Sequence, residues 1–312
     1  MVNRVPVVSV GNLAMGGRGK SPTAGLVARL LVEAGERPAI LSRGYARRSP
    51  VEGVVVVSDG QHRLADLDRS GDEPLMLARH VPGAAVLVCK TRALAAAVAE
   101  RELGATVHVL DDGFQHRSLA RDLDIVIISP GDLSDRRLPF GRLRSPVTAL
   151  RTASAVIVDG VVDTAVEARL SALVDQARTQ VFALTRSLGT PWWLEPRSAP
   201  VPQGARVVAL AAIARPERFT AALTHAGWIV AEAVNFRDHH AFTRRDIARV
   251  AGALARTSAT AVLTTEKDAM RLLPMRPIGL PVAAVPLTVA VEPAAAFREW
   301  LITRVGEVRR CA

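Results

Sequence analysis

The chain has 312 residues, 49% of them hydrophobic and 22% charged, enough to bury one large or two medium cores. Its longest apolar runs, such as Val54–Val57 and Ile125–Ile128, are of strand length, well short of the roughly 18–20 residues of a membrane-spanning helix. Two cysteines speak against a disulfide framework or a cysteine metal site, and a net charge of +10 with only 4% aromatics points to acidic lipid or phosphate rather than nucleic acid.

In chain order, the run from Val5 to Gly11 is rich in β-branched residues and reads as a buried strand. It enters the chain directly, with no signal-peptide pattern before it, so a cytoplasmic α/β protein is expected. A glycine-rich loop follows, then apolar residues at helical spacing over 21–34, a glycine stop at Gly35, and a second strand over 37–45. Strands and helices keep alternating: a strand over 84–89, a helix over 92–104, strands over 106–113 and 123–129. This order predicts a P-loop NTPase-like, mostly parallel sheet sandwiched by helices. An Arg-, Pro- and Gly-rich loop spans 132–146, a further strand spans 154–160, and a proline-rich stretch covers 187–203. From 206 a second alternating series begins, so a smaller C-terminal α/β domain is expected over 156–312 after a first domain over 1–155.

The loop "GNLAMGGRGKSP" carries Gly16, Gly17 and Gly19 ahead of Lys20 and Ser21, at a strand-to-helix junction. Backbone N–H groups and a helix N-terminus can converge on an anion there, the lysine neutralises outer phosphates, and the hydroxyl ligates a hard cation. Ala14 stands where the usual spelling wants glycine, and Pro22 suits a first helical turn. Only three lysines occur, Lys20, Lys90 and Lys267, the other 37 basic residues being arginine. A lysine retained inside this loop therefore marks a place where a compact ammonium is needed. An ordinary glycine turn before a helix is the competing interpretation.

Asp111 and Asp112 end a hydrophobic strand, where a metal-organising carboxylate is expected, with Gln115 and His116 just beyond. Asp72 and Glu73 precede a helix and read either as capping residues or as chemistry. Asp238, His239 and His240 precede another helix; a carboxylate paired with an imidazole could act as a general base toward an alcohol. The segment "TTEKDAMR" lacks the asparagine and the spacing of a guanine-reading motif.

Together, "VPVVSVGNLAMGGRGKSP", "LSRGY", "GDEP", "LDDGFQHRSLARDLDIVI", "RLPFGRLRSP", "RPERF", "FRDHHAFTRRD" and "TTEKDA", in that order, resemble the tetraacyldisaccharide 4'-kinases of lipid A biosynthesis. The resemblance spans residues 5–269. It implies transfer of the ATP γ-phosphate to the 4'-hydroxyl of tetraacyldisaccharide 1-phosphate, with Mg2+, in a cleft between a larger and a smaller domain. It further implies a nucleotide-binding set of Asn12, Gly16, Gly17, Arg18, Gly19, Lys20, Ser21 and Pro22. Asp72 would be the catalytic base, assisted by His239 in preference to His240, and Arg121 would stabilise developing charge. Ser21, Glu73, Asp112 and Gln115 would surround the metal, and Tyr45 would line the acceptor site.

The chain also departs from the family pattern. It begins at the first strand, without the amphipathic segment with which members usually start, so either the start is truncated or arginines and exposed apolar groups must dock it on the cytoplasmic face of the inner membrane. Ser145 replaces a usual glutamate, and Phe140 and Arg142 also differ. A P-loop kinase of another lipid or of a soluble sugar alcohol is the alternative that these departures leave open.

Overall fold

The computed structural model describes residues 5–16, 19–45, 47–49, 51–116 and 118–311. The chain divides into two compact units, Met1–Thr185 with Val289–Ala312, and Arg186–Thr288.

The first unit opens with β1 (Val7–Asn12), α1 (Lys20–Glu33), β2 (Pro38–Ser42), β3 (Val55–Asp59), α2 (Leu67–Ser70), α3 (Asp72–His80), β4 (Ala85–Val88) and α4 (Arg92–Leu103). It continues through β5 (Val107–Asp111), β6 (Leu123–Ile128), β7 (Ala155–Asp159), α5 (Thr164–Leu173) and β8 (Gln180–Leu188). The second unit contains β9 (Trp192–Trp193), β10 (Arg206–Ala211), α6 (Pro216–His225), β11 (Ile229–Asn235), α7 (Arg244–Thr257), β12 (Ala261–Thr265), α8 (Glu266–Leu272) and β13 (Val282–Val285). The chain ends with β14 (Leu287–Glu292) and α9 (Ala294–Cys311).

Among the described residues, nine strands form one sheet in the order β14-β8-β7-β6-β1-β5-β2-β4-β3. The pairs from β8 through β4 are parallel, and β3 joins antiparallel to β4. β1 and β6 are buried at every position, which is why they read as mostly apolar stretches without alternation: helices cover both faces. Five strands of the second unit pair in the order β11-β10-β12-β13-β9, with only the short β9 antiparallel.

The expected boundary at 155/156 is not where the chain divides. β7 pairs in parallel with β6 and β8 with β7, so both extend the first sheet, and the division falls at 185/186. Residues 281–291, which read as one strand, are split by Pro286 into β13 of the second sheet and β14 of the first. Proline has no N–H for a ladder, so it breaks the run where the chain changes sheets. α9 then packs on β8 through Phe297, which is 1% exposed and meets Phe182 edge-on at 5.1 Å. Burying that ring stabilises the return by about 2–3 kcal/mol. Arg309 near the end of α9 forks onto Glu36, donating at 2.9 and 2.8 Å.

Two glycines set the position of the site. A Cβ at Gly11 would lie 2.5 Å from Phe114 Cβ, and one at Gly113 would lie 2.5 Å from Leu110 Cβ. The turn after β5 therefore rests directly on the backbone of β1. Gly11→Ala is expected to cost about 1–3 kcal/mol by overpacking, read as a lower midpoint in urea with an unchanged slope. An unchanged midpoint would show that the turn yields freely.

Candidate active site: a phosphate loop facing two carboxylates

β1 runs into the glycine loop and α1 leaves it. Gly16 (φ 106°) and Gly19 (φ 76°) occupy the left-handed region that favours glycine, and Gly19 caps α1 with no side chain of its own. Gly17 and Arg18 lie outside the described residues. Lys20 and Ser21 are the first two residues of α1, with Pro22 at the third, so the positive end of the helix faces the loop.

Ala14 has a structural reason. It is fully buried and bridges Leu143 antiparallel, while Met15 N donates to Arg142 O at 2.8 Å. The segment that would crown a standard loop is here zipped to 142–144, and the methyl group fills the core beside Leu143 and Leu133.

Because β5 pairs with β1, with Val10 opposite Asp111, the strand delivers its terminal carboxylates beside the loop. Asp111 is 4% exposed and accepts from Ser21 Oγ on Oδ2 at 3.0 Å. Burial raises its pKa to about 7, and the neighbouring charges of Glu73 and Asp112 add to the rise. Asp112 sits at φ 55° and faces the other way. It meets Lys20 Nζ at 3.1 Å and takes both arms of Arg144, at 3.1 and 2.8 Å. Burial alone would raise its pKa, but Arg144 and Lys20 outweigh it and hold the carboxyl below its ordinary range.

Asn12 joins the two halves. Its Oδ1 accepts from Lys20 Nζ at 3.3 Å and from Arg144 Nη2, and its carbonyl accepts from Gln115 Nε2 at 2.7 Å. Gln115 also donates to Ser145 Oγ at 3.3 Å, so the serine in the usual glutamate position contacts this network. Arg92, 4% exposed, donates to the carbonyls of Cys89 and Lys90; burial lowers its pKa and the charge of Asp111 opposes that.

Asp72 is 5% exposed and begins α3 behind Gly71 (φ 86°), where the helix dipole supports a negative charge. Its Oδ1 accepts from Glu73 N at 2.9 Å. A Cβ at Gly71 would approach the carbonyl of Tyr45 to 3.1 Å, so the start of α3 adjoins the segment after β2. The Tyr45 side chain itself is 71% exposed.

Arg121 is bound elsewhere. Its guanidinium is committed to Asp124 at 2.8 and 3.2 Å and to the carbonyl of His116, with its charge 6.0 Å from the Phe114 ring. Among the described residues, the arginine bonded to Asp112 is Arg144, which sequence reasoning does not single out. It is one of four arginines between 136 and 144, with no spacing signal to single it out. Asp111 was visible as half of an acidic pair, but its choice over Asp112 for Ser21 depends on the strand register.

In the second unit the two histidines separate. His240 stacks on Phe236 at 4.6 Å and 14°, and its Nε2 pairs with Asp246 at 3.0 Å, an acid that also closes the capping box of Thr243. His239 makes none of these contacts and instead faces Lys267 and Arg271, each at 3.4 Å.

The residues suit a hard cation bound together with phosphate. Asp111 Oδ1, Gln115 Oε1, Asn12 Nδ2 and Arg144 Nε are buried without a hydrogen-bond partner in the structure, next to the Ser21 hydroxyl and Lys20. Among the described residues no group of three or more His, Cys, Asp or Glu side chains is placed to hold a metal alone. Magnesium sites of the kinase type use few protein carboxylates and complete their shell with water and phosphate oxygens.

Such a loop, answered by a buried aspartate on the adjoining parallel strand, places the protein among the P-loop phosphotransferases. The sequence profile of the tetraacyldisaccharide-1-P 4'-kinases matches residues 2–306, and the chain belongs to that family. A tetraacyldisaccharide 4'-kinase of Anaeromyxobacter sp. (strain Fw109-5) is 44% identical over 290 residues, covering 87% of this chain and 75% of that one. The tetraacyldisaccharide 4'-kinase of Koribacter versatilis (strain Ellin345) is 37% identical over 309 residues, covering 96% and 88%. A crystal structure of the apo form of LpxK from Aquifex aeolicus in complex with ATP superposes with a TM-score of 0.74 at 29% identity, over 96% of this chain and 88% of that one.

Proposed function

We propose that the protein phosphorylates the 4'-hydroxyl of tetraacyldisaccharide 1-phosphate from ATP, forming lipid IVA. The observation that carries this reading is the pairing of Lys20 with Asp112 and of Ser21 with Asp111, in a chain of this family. Lys20, Gly16, Gly19 and the start of α1 hold the phosphates of ATP. Ser21, Asp111 and Gln115, with Glu73 and Asp112 near, are the residues to hold Mg2+, which when bound neutralises charge on the β- and γ-phosphates.

Asp72 accepts the proton of the 4'-hydroxyl as its oxygen bonds to the γ-phosphorus, and the bond from phosphorus to the bridging oxygen breaks to release ADP. The charge of Glu73 acts on Asp111, so the start of α3 lies within electrostatic reach of the β5 carboxylates. His239 is assigned the support of that base. Arg144, in place of Arg121, is assigned the neutralisation of charge on the transferring group.

Among the described residues no helix is long and apolar enough to cross a membrane. Phe140 (83% exposed), Met15 (53%) and Leu138 (48%) stand beside exposed Arg136, Arg137 and Arg142. Apolar side chains ringed by arginine suit peripheral docking on anionic lipid, here assigned to the cytoplasmic face of the inner membrane.

Incubation with γ-labelled ATP, magnesium and tetraacyldisaccharide 1-phosphate in mixed micelles is expected to place label in the lipid. Label appearing instead in a soluble sugar alcohol or another lipid, with none in the disaccharide, would overturn the assignment of the acceptor.

A further inference from the structure

The "TTEKDAMR" segment, which reads no guanine, surrounds His239 within the second unit. Asp268 is fully buried at the third position of α8. Its Oδ2 accepts from the N–H of Ala212 at 3.0 Å and from Thr265 Oγ1 at 2.7 Å, and its Oδ1 accepts from Arg271 Nη1 at 2.9 Å. Arg271 Nη1 also donates to the carbonyl of Ala212 at 3.0 Å. The buried pair thus grips both polar groups of one residue, just past the end of β10.

His239 hangs from that same point: its N–H donates to the Ala212 carbonyl at 3.2 Å and to Asp238 Oδ1 at 3.0 Å. Its backbone is left-handed at φ 58°, a conformation that a non-glycine residue keeps only where its surroundings hold it. Arg271 Nη2 approaches ring Nδ1 at 3.4 Å, while Lys267 Nζ stands 3.4 Å and Asp238 Oδ1 3.8 Å from Nε2. Backbone and ring of one histidine are therefore both referenced to one buried ion pair.

An ion pair buried in this way is a poor source of stability, because desolvation offsets its attraction. It is well suited to fix geometry, since a guanidinium fork has rigid directions. We propose that Asp268 and Arg271 are positioning residues for catalysis, holding His239 in its left-handed backbone and aiming its ring. The inference rests on the assignment of His239 to the support of Asp72.

The test is a double-mutant cycle on the full chain, with kcat and the KM for ATP read separately. Arg271→Lys keeps the buried positive charge but loses the fork; it is expected to lower kcat about 10- to 100-fold at constant KM, as misplacement of a supporting group does. In a His239→Ala background the same change is expected to have no further effect, because the route runs through the imidazole. Thr265→Val, which loosens Asp268 without altering charge, is expected to show a smaller effect with the same dependence on His239, and it carries the cycle if Arg271→Lys does not fold. An equal fall in kcat with and without His239, or a lower melting temperature with kcat unchanged, would overturn the proposal. Should His239→Ala itself leave kcat unchanged, the assignment of His239 fails instead, a result distinct from the other two.

Discussion

Asp72→Asn is expected to reduce kcat about 10³-fold, within the range for loss of a general base, while ATP binds as before. The substitution keeps volume and a side-chain oxygen to accept from Glu73 N, so the start of α3 remains intact. What it removes is the capacity to take a proton from an alcohol at neutral pH. The nucleotide contacts proposed above fall to Lys20, Ser21 and the β5 carboxylates, on other elements. ATP titration followed by calorimetry, together with steady-state rates, separates the two functions. A parallel loss of ATP affinity would place Asp72 on the nucleotide and remove it from the role of base.

Asp111→Asn is expected to act in opposite directions on activity and on stability. One carboxylate oxygen accepts from Ser21 and the other is buried without a partner. Loss of the negative charge should lower kcat about 10²-fold and raise the magnesium concentration needed for half-maximal rate. Stability should move the other way. Burial raises the pKa of Asp111 from its ordinary 3.8 to about 7, so between those pH values the folded state retains a proton that the unfolded state has released. Folding is then progressively penalised as pH rises from 3.8 toward 7, and the penalty is complete above 7. Asparagine bears no such penalty, so without nucleotide or metal the variant should be the more stable protein at pH 8, by on the order of 2–4 kcal/mol. At pH 4 the two should nearly coincide. Thermal melts across this range check the prediction, and a stability difference that does not change with pH would refute it. A carboxylate kept at such a cost is what a site selected for function rather than stability shows.

Much of the first unit could be read directly along the chain. β1 and β6 announce themselves because a strand covered on both faces is rich in β-branched and other apolar residues without alternation. The glycine loop is legible because positive φ at Gly16 and Gly19 and a helix start at Lys20 leave few alternatives to those residue types. Asp72 and Glu73 were also readable, as acids where a helix begins.

Other features depend on contacts between segments distant in sequence. The choice of Asp111 for Ser21 and of Asp112 for Lys20 comes from a backbone reversal at φ 55°, which turns adjacent carboxylates to different partners. Arg144 reaches Asp112 across 32 positions because Ala14 and Leu143 bridge, and nothing local distinguishes it from Arg142, which pairs with Asp135. By residue type Arg121 is equally suitable, but its neighbour Asp124 holds it. The division at 185/186 is illegible for a similar reason: a run such as 155–159 has the same composition whichever sheet it extends.

The sequence by itself therefore determined the class of chemistry, since phosphate loops, caps and buried strands follow from local conformation and residue type. Only the tertiary structure decided which aspartate meets Ser21, which arginine meets Asp112 and which histidine faces Arg271. Those choices rest on strand register, on a single left-handed residue and on a buried ion pair, and each of these is a relation between segments that no single segment encodes.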